Sequence, residues 1–193
     1  MFREDVAARS AVTPIVDQLR QAEMRQILFL DVDGVLHRGI ARRVGNRVIS
    51  SAPDIELFEF VPVLEELLRP YPSVEIVLSS DWALVLGIEF TRDAMASEEL
   101  GRRIIGATYE GETLDAGVWP VLPRGAQVLD YVRRNSPMRW LAVDDRSDGF
   151  EAFRGQLVHC QTDVGLGDDV VVEQFRQQLK MFFSFLSEDE IDE

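Results

Sequence analysis

Apolar residues in this chain fall into two alternating rhythms. "QILFLDV" (26–32), "VEIVLSS" (74–80) and "RWLAVDD" (139–145) are short, nearly unbroken apolar runs that close on polar residues, the pattern of strands buried on both faces. Between them the spacing turns helical. "VPVLEELLRP" brings Val61, Leu64, Leu67 and Leu68 to one face of a helix that should stop before Pro70. "RGAQVLDYVRR" groups Val128, Leu129 and Val132, and "DDVVVEQFRQQLKMFFSFL" predicts a closing amphipathic helix. "QLVHC" reads as a fourth strand, "SEELGRRI" as helix-like, and "TPIVDQLRQAEMR" as an N-terminal helix with Pro14 in its first turn. "ARRVGNRVIS" resembles two extended arms around a Gly45-Asn46 turn. Strand and helix signals in alternation predict an α/β domain with a mostly parallel central sheet.

The length of 193 residues, with 46% hydrophobic and 28% charged, fits one domain with a proper core. The expectation is a single domain over 1–193: a core of about 26–166, an N-terminal helix before it, and a C-terminal helix with an acidic tail after it. No apolar run approaches the ~20 residues of a membrane span, and "MFREDVAARS" mixes charges, so a cytoplasmic protein with no membrane partner is expected. A single cysteine, Cys160, agrees with a reducing compartment and leaves no thiol-metal site. The net charge of -14 disfavours non-specific binding to polyanions unless basic residues gather locally or cations intervene. The terminal "SEDEIDE" reads as a solvated acidic tail, and "MFFSFL" as core packing.

Three of the strands end in polar groups: Asp31 with Asp33, Ser79 with Ser80, and Asp144 with Asp145. Ligands of open parallel sheets bind outside the carboxyl ends of the strands, so neighbouring strands would gather these groups in one crevice. Crowded carboxylates raise one another's pKa, and a hard cation relieves them. Mg²⁺ suits that role, bridging one or two carboxylates to a phosphate, with Asp31 and Asp144 as ligands and a backbone carbonyl near Asp33 as another. The Asp-x-Asp spacing puts both side chains on one side of an extended strand, and Gly34 lets the chain turn at once. One acid can attack phosphorus while the other moves a proton. Ser79 offers a hydroxyl to a phosphoryl oxygen, with Ser80 beside it, and Arg124 offers a cation to the transferring group.

"DVDGVL", "VLSS", a basic residue at a helix start and "WLAVDD", in that order, resemble the four motifs of the haloacid dehalogenase (HAD) superfamily. More narrowly, "FLDVDGVLH", "IVLSSDW", "RRIIGAT", "RWLAVDD" and "CQTDVGL" are similar to a HAD-like domain family found alone and in multi-domain RNA repair proteins, over roughly Leu28 to Leu166. The resemblance implies a Rossmann-like three-layer α/β/α fold and Mg²⁺-dependent phosphatase chemistry. It assigns Asp31 as nucleophile, Asp33 as general acid/base, Ser79 as the phosphate-binding hydroxyl, Arg124 as the basic residue, and Asp144 and Asp145 as metal-side acids. It also points to a nucleotide or a phosphorylated RNA or DNA end as substrate.

The chain differs from its relatives at three places. Arg124 stands where the superfamily usually has Lys, Asp81-Trp82-Ala83 where close relatives often have Ser-Trp-Arg, and Arg146 comes before Asp148 where some have a third acid. The intervals 37–78 and 82–123 are too short for a sizeable inserted domain, which implies a capless or minimally capped enzyme whose open site a protein partner could complete. Two rivals share the chemistry: a non-catalytic phosphate-binding module and a receiver-like signalling domain. Other polar residues have plainer readings. His37 reads as a loop residue, His159 as structural, Arg42, Arg43 and Arg47 as a solvated hairpin face that would reach phosphate only as a flap, and Trp82, Trp119 and Trp140 as packing residues. Arg102 or Arg103 is the alternative to Arg124 as the cation over the site.

Overall fold

In the computed structural model the described residues are 25–45, 47–109 and 117–184. The expected N-terminal helix lies almost wholly outside them, and the acidic tail entirely so. From the N-terminal side, β1 (Gln26–Leu30) leads to a hairpin of β2 (Ala41–Val44) and β3 (Arg47–Ser50), then α1 (Val61–Leu68) and β4 (Val74–Leu78). Three short helices follow: α2 (Asp81–Leu86), α3 (Ile88–Ala94) and α4 (Glu98–Arg103). β5 (Ile104–Ala107), α5 (Arg124–Asn135), β6 (Arg139–Asp144), β7 (Leu157–His159) and α6 (Asp169–Phe183) complete the order.

Five strands pair in the order β5-β4-β1-β6-β7, all parallel, and β2-β3 form a separate antiparallel pair. The chain first builds outward from β1 through β4 to β5, then crosses to the other side of β1 for β6 and β7. That reversal opens a crevice at the carboxyl end of β1, where α/β sheets take ligands.

Alternation along the strands divides the core. Leu28, Leu30, Ile76, Leu78, Leu141 and Val143 face one layer with Leu64 and Leu68 of α1, Leu100 of α4, and Phe175 and Leu179 of α6. Ile27, Phe29, Val77, Trp140 and Ala142 face the other, against Val128 and Tyr131 of α5. Phe29 is the hub of that second layer, with edge-on ring contacts to Tyr131 (5.4 Å) and Trp140 (5.9 Å). The result is the three-layer α/β/α arrangement expected from the sequence.

Local signals account for the helix ends. Pro62 sits in the first turn of α1 and the buried Val61, Leu64, Leu67 and Leu68 share its inner face, each contributing roughly 1.5–3 kcal/mol by burial. Ser80 caps α2, Ser97 caps α4 and Asp168 caps α6, each accepting a backbone N–H with its side chain.

Two readings need correction. The inner face of α5 is Val128, Tyr131 and Gln127, with Leu129 and Val132 only partly buried, because the buried Arg124 fixes the rotation of its first turn. β5 was not among the expected strands: it is an edge strand of four residues with Ile105 exposed and Gly106 at its centre, too short to show a period. The expectation for "MFFSFL" holds in part, since Phe183 is buried while Met181 is exposed.

Candidate active site

Leu30 is paired with Leu78 of β4 on one side and with Val143 of β6 on the other. Asp31, Ser79 and Asp144 each come next, so three adjacent strands deliver them at one register position. The ladder extends to them: Asp31 N donates to Val143 O at 3.1 Å and Ser79 N to Leu30 O at 2.8 Å. Side-chain alternation turns all three toward the layer of α5, which begins with Arg124.

Arg124 is buried to 3% exposure, and its fork reaches three partners. Nη2 lies 3.4 Å from Asp31 Oδ2, and Nη1 donates to Gln127 Oε1 at 2.9 Å. Nε lies 3.1 Å from Asp144 Oδ2, an ion pair whose angle falls short of a hydrogen bond. Gln127 is itself anchored, donating to the Trp119 carbonyl at 2.8 Å. The N-terminus of α5 is held just as closely. Asp148 Oδ2 accepts from Arg124 N (3.2 Å) and the Asp148 carbonyl from Gly125 N (2.9 Å). A Cβ on Gly125 would overlap the Gly149 carbonyl, so this approach requires glycine. Arg146 secures Asp148 through Nε (3.1 Å) and Nη2 (2.8 Å), and its backbone N–H donates to Asp144 Oδ1 at 2.9 Å. Arg146 thus braces both an acid and the helix that carries the cation.

Burial raises Asp31 above its ordinary range; Arg124 opposes the rise, Asp145 adds to it, and Ser80 and the Val32 N–H oppose it further. Burial, then Asp31, push Asp144 well above the usual carboxylate range, with Arg124 only partly compensating. Burial works to lower Arg124, and Asp31 and Asp144 more than reverse that. Among the described residues, Asp31, Asp144 and Asp145 each offer an oxygen, and these lie within 4.8 Å of one another. Asp144 Oδ2 is buried without a hydrogen bond, and three carboxylates face one guanidinium. An all-oxygen donor set with surplus negative charge fits a divalent cation such as Mg²⁺. Asp145 is aimed by Thr162, whose hydroxyl donates to Oδ2 at 2.6 Å. Gly34, at φ +67°, passes so close that a Cβ would lie 2.5 Å from the same oxygen. The absent side chain of Gly34 therefore makes room for Asp145.

Asp33 is not among the clustered oxygens. Its Oδ1 accepts from Trp82 Nε1 (2.9 Å) and Ala41 N (3.0 Å), and lies 3.0 Å from His37 Nε2. His37 lies in the connection after β1, as expected of a loop residue, and is fully buried there with edge-on ring contacts to Phe58 and Trp82. Trp82, Trp119 and Trp140 are all buried, as packing residues.

The remaining expectations divide. Ser79 Oγ is buried and has no partner, a hydroxyl left available in the crevice. Ser80, by contrast, is engaged within the protein, as the cap of α2 and a neighbour of Asp31. Arg102 and Arg103 lie elsewhere: Arg102 pairs with Glu98, and Arg103 with Glu99 and the Tyr71 carbonyl. A cleft of about 570 Å³, lined by Arg92 of α3, the capping Ser97 and Arg102 of α4 among others, holds none of the clustered acids. Thr162, Gln127 and Asp148 were not anticipated; each acts by a tertiary contact that no local pattern signals.

A parallel sheet with an Asp-x-Asp turn after its central strand, a hydroxyl, a buried cation and an acid pair on the flanking strands defines a HAD domain, the fold of phosphatase-type hydrolases. The chain belongs to the family described as the HAD domain in Swiss Army Knife RNA repair proteins, whose model matches residues 27–171. No curated protein and no solved structure gives a significant match. No helix among the described residues is long and apolar enough to cross a membrane.

Proposed function

We propose that this chain is a Mg²⁺-dependent phosphomonoester hydrolase that works through an aspartyl-phosphate on Asp31 and acts on a nucleotide or a phosphorylated nucleic-acid end. The observation that carries this reading is the shared register of Asp31, Ser79 and Asp144, with Arg124 spanning the two acids.

In the first half-reaction an Asp31 oxygen attacks phosphorus, the bond to the ester oxygen breaks, and Asp33 gives that oxygen its proton. In the second, ionised Asp33 takes a proton from water as the water oxygen attacks phosphorus, which releases inorganic phosphate and restores Asp31. Ser79 Oγ donates to a phosphoryl oxygen, and Arg124 steadies the negative charge on Asp31 and the transferring group. Asp31, Asp144 and Asp145 would hold Mg²⁺, which would supply positive charge to offset that of the phosphoryl group. The nucleic-acid class of substrate rests on family membership. A cytoplasmic setting agrees with the buried, unpaired Cys160, whose thiol burial pushes up and so leaves unreactive.

Phosphate release from nucleotides, sugar phosphates and phosphorylated oligonucleotides, measured with Mg²⁺ and with chelator, tests the proposal. Turnover should require Mg²⁺ and vanish in Asp31→Asn, and full activity in that variant would sink the assignment. Stable binding of beryllium fluoride with Mg²⁺, without turnover of any substrate, would identify a phosphate-binding module instead.

A further inference from the structure

The β2-β3 hairpin is more than a solvated face. Its register pairs Ala41 with Ser50, Arg42 with Ile49, Arg43 with Val48 and Val44 with Arg47. Alternation therefore separates the three arginines: Arg43 shares a face with Ala41 and Val48, while Arg42 and Arg47 lie on the other. Ala41 N is bonded to Asp33 Oδ1, so the first face is tied to the proton donor of the proposed reaction.

Between that face and α2 lies a cavity of about 110 Å³. Asp33 borders it, with Ala41, Arg43 and Val48 on the hairpin side and Asp81, Trp82, Val85 and Leu86 on the helix side. Room for three or four waters matches one flat ring and is far short of a whole ligand site. Five of its eight lining residues, Ala41, Val48, Trp82, Val85 and Leu86, are aliphatic or aromatic, with Asp33, Asp81 and Arg43 as the polar ones. No acid pairs with Arg43 among the described residues, in a chain of net charge -14. Arg43 Nε donates to the Gly45 carbonyl at 3.1 Å, which anchors the guanidinium at the hairpin end of the cavity. A guanidinium beside apolar walls suits the face of a nucleobase.

In-line transfer fixes which part of the substrate lies here. Asp31 attacks from one side of phosphorus and the ester oxygen departs on the other, toward the acid that protonates it. The cavity next to Asp33 is thus where the leaving group goes. Resting on the hydrolase reading above, we infer that the hairpin–α2 cavity is the leaving-group subsite and takes the base of a nucleoside phosphomonoester, with Arg43 against its face. The base belongs either to a free mononucleotide or to the terminal residue of a strand.

Binding separates this inference from the hydrolase assignment. The probes are a nucleoside methylenephosphonate, in which carbon replaces the bridging oxygen so that no turnover occurs, the base-free ribose counterpart, and a short oligonucleotide ending in the same phosphonate. Calorimetry on the full chain with Mg²⁺ should show the nucleoside probe binding at least about tenfold tighter than the ribose probe. Arg43→Ala and Val85→Glu should each reduce that ratio about tenfold, while Arg47→Ala on the opposite face should not. Tighter binding of the oligonucleotide identifies a strand end, and equal binding a free nucleotide. A nucleoside-to-ribose ratio near one, or equal effects of Arg43→Ala and Arg47→Ala, overturns the subsite. Base-dependent binding without turnover of matching phosphate esters would keep the subsite and remove the hydrolase reading.

Discussion

Trp82 donates its indole N–H to Asp33 Oδ1 at 2.9 Å, joining the first turn of α2 to the turn after β1. His37 Nε2 and Ala41 N meet the same oxygen, so in the proposed mechanism Oδ2 is the atom that would pass the proton. Trp82→Phe keeps the packing and removes one donor. Turnover of an alkyl phosphomonoester, which needs its leaving oxygen protonated, should fall about tenfold. Turnover of p-nitrophenyl phosphate, whose leaving group departs as an anion, should fall much less. Equal losses on both substrates would mean that Trp82 acts on the fold and not on Asp33.

Arg124 reaches Asp31, Asp144 and Gln127 through three different nitrogens, a geometry one ammonium cannot reproduce. Arg124→Lys should therefore lower kcat by about tenfold or more, despite restoring the residue usual in the superfamily, and Arg124→Met by about 10²–10³-fold. Steady-state kinetics at saturating Mg²⁺ would decide it. Wild-type rates in the Lys variant would show that the fork is dispensable.

The N-terminus of α5 packs where only a glycine fits. Gly125→Ala should destabilise the protein by about 2 kcal/mol or more, because the obstruction is the Gly149 carbonyl and not a flexible side chain. Urea unfolding measures this directly, and a loss under about 0.5 kcal/mol would contradict the close approach.

Asp148 is held below its ordinary range, first by the hydrogen bond from Arg146. The unfolded chain binds that proton more readily, so the contribution to stability is present above the unfolded pKa near 3.8 and is lost as pH falls through the lower folded value. Asp148 is half exposed, so its pair with Arg146 contributes about 0.5 kcal/mol after screening. The difference in melting temperature between wild type and Asp148→Asn should be full at pH 7 and close in the acid range below pH 4. A difference that widens on acidification would refute the sign.

Two buried acids and the partly buried Asp145 against one guanidinium should make folding depend on cation. Mg²⁺ at about 100 times its dissociation constant should stabilise the fold by about 2.7 kcal/mol. Asp145→Asn should reduce the shift in thermal unfolding, and an unchanged shift would remove Asp145 from the ligand set.

The strands that carry chemistry were legible because β1, β4 and β6 are covered on both faces and so read as continuous apolar runs ending in acids or hydroxyls. What escaped depends on contacts distant in sequence. His37 follows the first acid pair in what reads as a turn, and nothing local marks it as buried beneath Phe58 and Trp82. Thr162 and Asp148 are ordinary loop residues until the fold sets them against Asp145 and Arg124. The hairpin arms were visible, but the separation of Arg43 from Arg42 and Arg47 follows only from the register, which the one-turn sequence does not specify.

The hairpin meets Asp33 through a backbone amide, Ala41 N. Any residue but proline supplies that amide, so sequence drift across 42–50 need not disturb Asp33, the proposed proton donor. On the proposed reading, catalyst and selector are then inherited on separate stretches of chain. A lineage can exchange the arms of this hairpin, or a laboratory library can randomise them, and change what is accepted while the machinery on the sheet stays as it was.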